Sequence, residues 1–119
     1  MAAPNMVNMT SLYGKTAVQA VGTTATAIVT NTAGSNKVLK INSLVVSNID
    51  GTNNAEVTVD LFRSSVAYRL ASTIIVPADA SLVVISKDAF IYLEEGDSLR
   101  LTANVVGDLE AVCSYEEIS

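Results

Sequence analysis

A period of two runs through the middle of this chain. Val57, Val59 and Leu61 alternate with Glu56, Thr58 and Asp60, and further on Leu99, Leu101, Ala103 and Val105 alternate with Ser98, Arg100, Thr102 and Asn104. Successive side chains of a strand point to opposite faces, so this alternation predicts strands with one face buried and one wet. Burying each of Val57, Val59 and Leu61 is worth roughly 1.5–3 kcal/mol, and a one-residue slip in register would expose all three. No stretch shows a 3.6-residue period. Half of the residues are apolar, yet there are only four Tyr, two Phe and no Trp, so Val, Ile, Leu and Ala must fill the core. β-Branched side chains suit a pleated surface and reinforce the strand reading.

Turn residues divide the chain into about eight or nine short strands. Two strands are expected between Thr10 and Thr30, joined near "VGTT", followed by the loop "NTAGSNK". Val38 to Ser47 is the next strand, and "NIDGTNNAE" is a turn rich in residues that tolerate tight or left-handed backbone. After the alternating strand, an "SSVA" corner leads to "YRLASTIIV", which Pro77 ends by removing an amide donor. "LVVIS", "IYL", "DSLRLTANV" and a last strand from Leu109 to about Glu117 complete the series, with "KDAF" and the Gly107–Asp108 pair as turns. Closely spaced strands with no helix predict an all-β fold: an antiparallel β-sandwich, jelly-roll-like, with a small β-barrel as the alternative. A chain of 119 residues suits one domain. Residues 1–9 read as an N-terminal arm, with no strand or helix pattern, and residues 10–119 as a single β-sandwich domain.

The composition excludes most chemistry. A chain without His lacks the usual base for Ser, Cys or Thr nucleophiles, and Lys15, Lys37, Lys40 and Lys87 sit in no Ser-x-x-Lys signature. The single cysteine, Cys113, cannot form an internal disulfide and shares the phase of Leu109, Ala111 and Tyr115, which places it in the core. One Cys and no His do not make a zinc set. The loop Asp50 to Asn54 has oxygen ligands suited to calcium but lacks the alternating acids and closing Glu of an EF-hand. Neither glycine-rich phosphate motif occurs, so no catalytic residue, metal or cofactor is expected. The net charge of −5 with scattered Lys and Arg argues against nucleic acid. No apolar run is long enough to span a bilayer and no signal peptide is apparent, so folding in a cytoplasm is expected, with no membrane partner.

Two features invite a functional reading. Tyr13, Tyr68, Tyr92 and Tyr115 offer apolar bodies with polar tips, as in a glycan platform, but they are dispersed along the strands. In "IYLEEGDSLRL", Glu94, Glu95 and Asp97 crowd about Gly96. A glycosidase pair must face each other across a substrate, whereas these acids fit a solvated turn between two strands.

The segments "VLKINSLVVSNIDGTNNAEVTVDLFRS", "YRLASTIIVPADASLVVIS" and "IYLEEGDSLRLTANVVGDLEAVCSYEEI" resemble small virion structural proteins of tailed bacteriophages over Val38 to Ile118. The shared order is a strand, an Asn-rich turn, a Val-x-Val strand, a Pro-Ala turn and a Gly-Asp turn followed by a strand. The resemblance implies a β-sandwich subunit of a virion, assembled in the host cytoplasm, with the major capsid protein or other virion proteins as partners. A capsid decoration or cement subunit, trimeric by symmetry, is the leading expectation; a tail, neck or fibre-associated protein is the alternative, and a host-surface glycan- or protein-binding module comes from another class. Met6, Val7 and Met9, apolar residues in an arm without a fold role, are the expected partner contacts.

Overall fold

The computed structural model describes residues 5–119 and contains nine strands: β1 (Leu12–Ala20), β2 (Thr26–Thr30), β3 (Val38–Asn48), β4 (Ala55–Arg63), β5 (Val66–Val76), β6 (Ser81–Ile85), β7 (Ile91–Leu93), β8 (Ser98–Ala103) and β9 (Leu109–Ile118). Every pairing is antiparallel. Sheet I has the order β1-β9-β3-β6, with β7 also pairing β3, and sheet II the order β2-β8-β4-β5. The chain passes between the sheets at most connections, the arrangement of a jelly roll. Among the described residues both sheets keep free edges, so the barrel alternative does not apply. No helix among the described residues is long and apolar enough to cross a membrane.

The strands form where the alternation placed them. Leu99, Leu101 and Ala103 of β8, Leu109, Ala111 and Cys113 of β9, and Val57 and Val59 of β4 all lie in one core between the sheets. Some positions depart from the pattern: Asp60 and Ser98, expected in solvent, are buried, Leu61 is only half-buried against the core, and Val105 lies beyond the end of β8. The β4–β5 register shifts on either side of Val59. On the outer face, Arg100, the cross-strand partner of Asp60, donates from Nε to its carboxylate at 2.9 Å and lays its guanidinium 3.9 Å over the Phe62 ring. The acid is thus covered by its own counter-ion.

Two buried asparagines close the ends of the sandwich. At the end where β3 begins, Asn31 donates from Nδ2 to the carbonyls of Lys37 and Leu93, both at 2.9 Å, and accepts the Ser35 hydroxyl. Where β3 finishes, Asn48 donates to the carbonyls of Asn53 and Val76 at 2.9 Å and accepts the Asp50 amide. Each amide joins a loop carbonyl, of Lys37 or Asn53, to the carbonyl of a strand's last residue, Leu93 of β7 or Val76 of β5. Leaving buried acceptors unpaired costs about 1–3 kcal/mol, so Asn31→Ala and Asn48→Ala should each lower unfolding free energy by about 2 kcal/mol in urea titrations, whereas Asn53→Ala, at an exposed site, should change it little.

The β4–β5 connection is tighter than a corner. Arg63 pairs with Val66, leaving a two-residue turn in which Ser64 and Ser65 have φ of 52° and 62°. Two positive φ values define the mirror-image turn that matches strand twist and favours Asn-Gly. Replacing Ser64 by Asn and Ser65 by Gly should stabilise the chain by about 1 kcal/mol, read as a higher urea midpoint with an unchanged slope.

Candidate functional site

The acidic stretch is the corner between β7 and β8. The Asp97 amide donates to the Glu94 carbonyl at 3.0 Å, and Gly96, at φ 90°, turns the chain. The turn is bound to the β2–β3 loop, because Gly96 donates to Asn31 and Asn31 donates to Asp97 through backbone. The expectation that all three acids are solvated fails for Asp97, which is 1% exposed, and in part for Glu95, which is half-buried with its Oε1 out of solvent. Its carboxylate accepts Arg63 Nε at 2.8 Å, Arg63 Nη2 at 2.6 Å and the Glu94 amide at 2.8 Å. Glu94 takes a second contact from the same guanidinium at 2.9 Å. The cluster therefore ties β4 to the β7–β8 corner, and Arg63, 34 residues from Asp97, is the partner that local sequence does not show.

Burial alone would raise the Asp97 carboxyl, but the Arg63 hydrogen bonds, the Glu94 amide and the Arg63 charge outweigh it and hold the group below the usual carboxylate range. The stability it contributes is complete above its unfolded value, about 4, and is lost as pH falls through the depressed folded value. Arg63 is 42% exposed, so water screens the pair. Asp97→Asn should therefore cost about 2 kcal/mol at pH 7, below the cost of breaking a fully buried pair, and should flatten the loss of stability below about pH 4 in denaturation measured across pH.

The other sequence candidates are dispersed or occupied. Burial pushes the Cys113 thiol up to about 12. Lys15 and Lys37 both bond Glu117, at 3.1 and 2.8 Å, which links β1, β9 and the start of β3. In the Asp50–Asn54 loop, the Asp50 carboxylate accepts the Thr52 amide at 2.8 Å and both the amide and the side chain of Asn53 at 3.2 Å. These bonds, the Thr52 amide foremost, hold its carboxyl below the usual range. No group of three or more His, Cys, Asp or Glu placed to hold a metal occurs among the described residues. Tyr13, Tyr68, Tyr92 and Tyr115 lie on β1, β5, β7 and β9 and form no common platform; Tyr92 instead meets Phe90 edge-on at 5.4 Å.

What the surface offers is apolar area. Of residues 1–9, read from sequence as an arm, 1–4 lie outside the described residues; Met6 and Met9 are exposed and Val7 is 89% exposed, beside a small turn in which Asn5 accepts the Val7 amide. The arm leaves the sandwich where Thr10 and Ser11 donate to the Ser119 carbonyl. Sheet II ends in β5, an 11-residue edge that exposes Tyr68, Leu70, Ile74 and Ile75. On the outer face of sheet I, cross-strand pairing sets Val18 beside Val112, Val112 beside Val45 and Val45 beside Val83. The result is one row of four valines across four strands, in which Val18 is 75% and Val83 60% exposed. Sequence patterning marked Met6, Val7 and Met9 but not the valine row, since a row across strands exists only once strand order and register are set.

No protein-family model matches the chain, and no curated protein matches it. Among solved structures, the chain is similar to a subunit of Bacillus endospore appendages, described as disulfide-linked pili, at 14% identity and a TM-score of 0.55 over 98% of this chain and 95% of that one. This likeness is one of fold. A pentameric capsid protein from metagenomic phage sequences aligns at 18% identity with a TM-score of 0.38, over 97% of this chain and 63% of that one.

Proposed function

We propose that this chain is a non-enzymatic structural subunit of a bacteriophage particle, acting as a capsid decoration or cement protein that binds the outside of the head shell. The observation that carries the reading is the division of labour among its residues. Asp50, Asp60, Asp97 and Glu117 are taken up by turns and ion pairs, while apolar side chains stand exposed at Met6, Val7 and Met9, on the β5 edge and in one row across the outer face of sheet I. Soluble monomers seldom expose such patches unless something covers them. The sequence resemblance over Val38 to Ile118 supplies the kind of assembly. Many weak contacts repeated over a shell add up through effective concentration, so a small subunit can resist the pressure of packaged nucleic acid without one large interface.

A second reading, a subunit of an extracellular filament, draws on the end-to-end fold likeness to the endospore appendage protein and on free edges in both sheets. Disulfide linking does not carry over: the one cysteine of the chain lies in the core.

Mass spectrometry of purified particles tests the first reading. Hundreds of copies per particle are expected for shell decoration; a dozen or fewer would move the protein to the tail or neck, and none would reject the virion reading. The joint substitution Met6→Ser, Val7→Ser and Met9→Ser should leave the fold intact and lower particle occupancy at least tenfold, as removing several apolar contacts of about 1 kcal/mol each implies.

A further inference from the structure

We infer that the outer face of sheet I is a homotypic docking face, on which two copies of the chain stack about a two-fold axis lying along the valine row. The inference rests on the proposed structural role and names one contact within it. The two outer faces of the sandwich differ in chemistry. At its centre sheet II presents the Asp60–Arg100 ion pair with Phe62 beneath the guanidinium, and Ile75, cross-strand from Glu56, is exposed toward the β5 edge. Sheet I presents valines flanked by mostly short side chains: Thr16, Ser114 and Ser43 on one side, and Ala20, Glu110, Ser47 and Ser81 on the other, with the Ser47 and Ser81 hydroxyls 3.0 Å apart. Such a face is flat enough for another sheet to approach to about 10 Å, as in a sandwich core.

The self-complementarity follows from register. Rotation about the valine row lays each valine on its counterpart and exchanges the two flanks. Glu110, the acid of one flank, then lies over Ser114 and Ser43 of the second copy, whose hydroxyls can donate to a carboxylate, rather than over another Glu110. A shallow depression of about 250 Å³ between Val18, Ala20, Glu110 and Val112 gives the facing side chains room to interdigitate.

The size of the face sets the strength of the contact. Four strands at ~4.8 Å and three rows at ~6.8 Å make ~400 Å² per copy, or ~800 Å² in all, below the ~1,200 Å² of stable complexes. Pairing is weak in dilute solution and becomes effective where copies are concentrated on an assembly.

Sedimentation equilibrium of the full chain over a dilution series reaching about 1 mM, the regime of weak complexes, tests this. The weight-average mass should rise toward that of a dimer. Val112→Lys should weaken pairing at least tenfold. Ser114→Asp, which sets a carboxylate against Glu110 of the second copy, should do the same, and adding Glu110→Lys should restore pairing. A monomer at every concentration overturns the inference, as does a dimer indifferent to Val112→Lys or a Ser114→Asp defect that Glu110→Lys does not repair. A monomeric chain that still occupies particles in hundreds of copies would overturn the two-fold contact and leave the proposed function standing.

Discussion

The interleaved strand order is the constraint on which this molecule depends. Because the chain alternates between sheets, the crossings at both ends of the sandwich leave main-chain groups that no ladder can pair. A fold with this many crossings is stable only if side chains make up the missing partners. Asn31 does so at one end and Asn48 at the other, each with both amide hydrogens and its oxygen engaged. The Arg63–Asp97 pair adds a third fastening, between the far end of β4 and the corner that leads into β8.

With the ends held by polar groups, the interior is free to be wholly aliphatic. The buried core is made of Val, Leu, Ile and Ala with Cys113, and contains no fully buried aromatic ring. Such a core leaves the outer faces of the two sheets to be set by surface chemistry. One outer face carries the Asp60–Arg100 ion pair at its centre and the other a row of valines, and that difference, more than any cleft, distinguishes the surface.

Much of this was legible in the sequence, and the reasons for the rest are physical. The period of two found β4, β8 and β9 because side-chain direction in a strand is a local property, and Pro77 and Gly96 ended elements through local backbone rules. The jelly-roll class was likewise within reach. Asp60 was misjudged because alternation assumes an uncovered outer face, whereas a cross-strand arginine lies over it. Asp97 was taken for a solvated turn acid because its counter-ion is 34 residues away. Asn31 and Asn48 looked like ordinary turn formers, since nothing local shows that a loop amide will face inward. Ser64 and Ser65 gave no sign of a left-handed turn because they are not the residues that usually form one. In each case the missing information was tertiary.

Sheet order also bears on how the molecule comes into being. β9 lies between β1 and β3, so the last strand in chain order is an inner member of sheet I. During synthesis, β1 and β3 emerge early and find no ladder partner in each other. Sheet I is therefore completed only after β9 has left the ribosome: until then β3 can pair β6 and β7, whereas β1, whose ladder is with β9, has none. In that interval the unpaired edge left for β9 is open to other chains, and a ribosome that stalls before β9 releases a chain with no way to complete its first sheet.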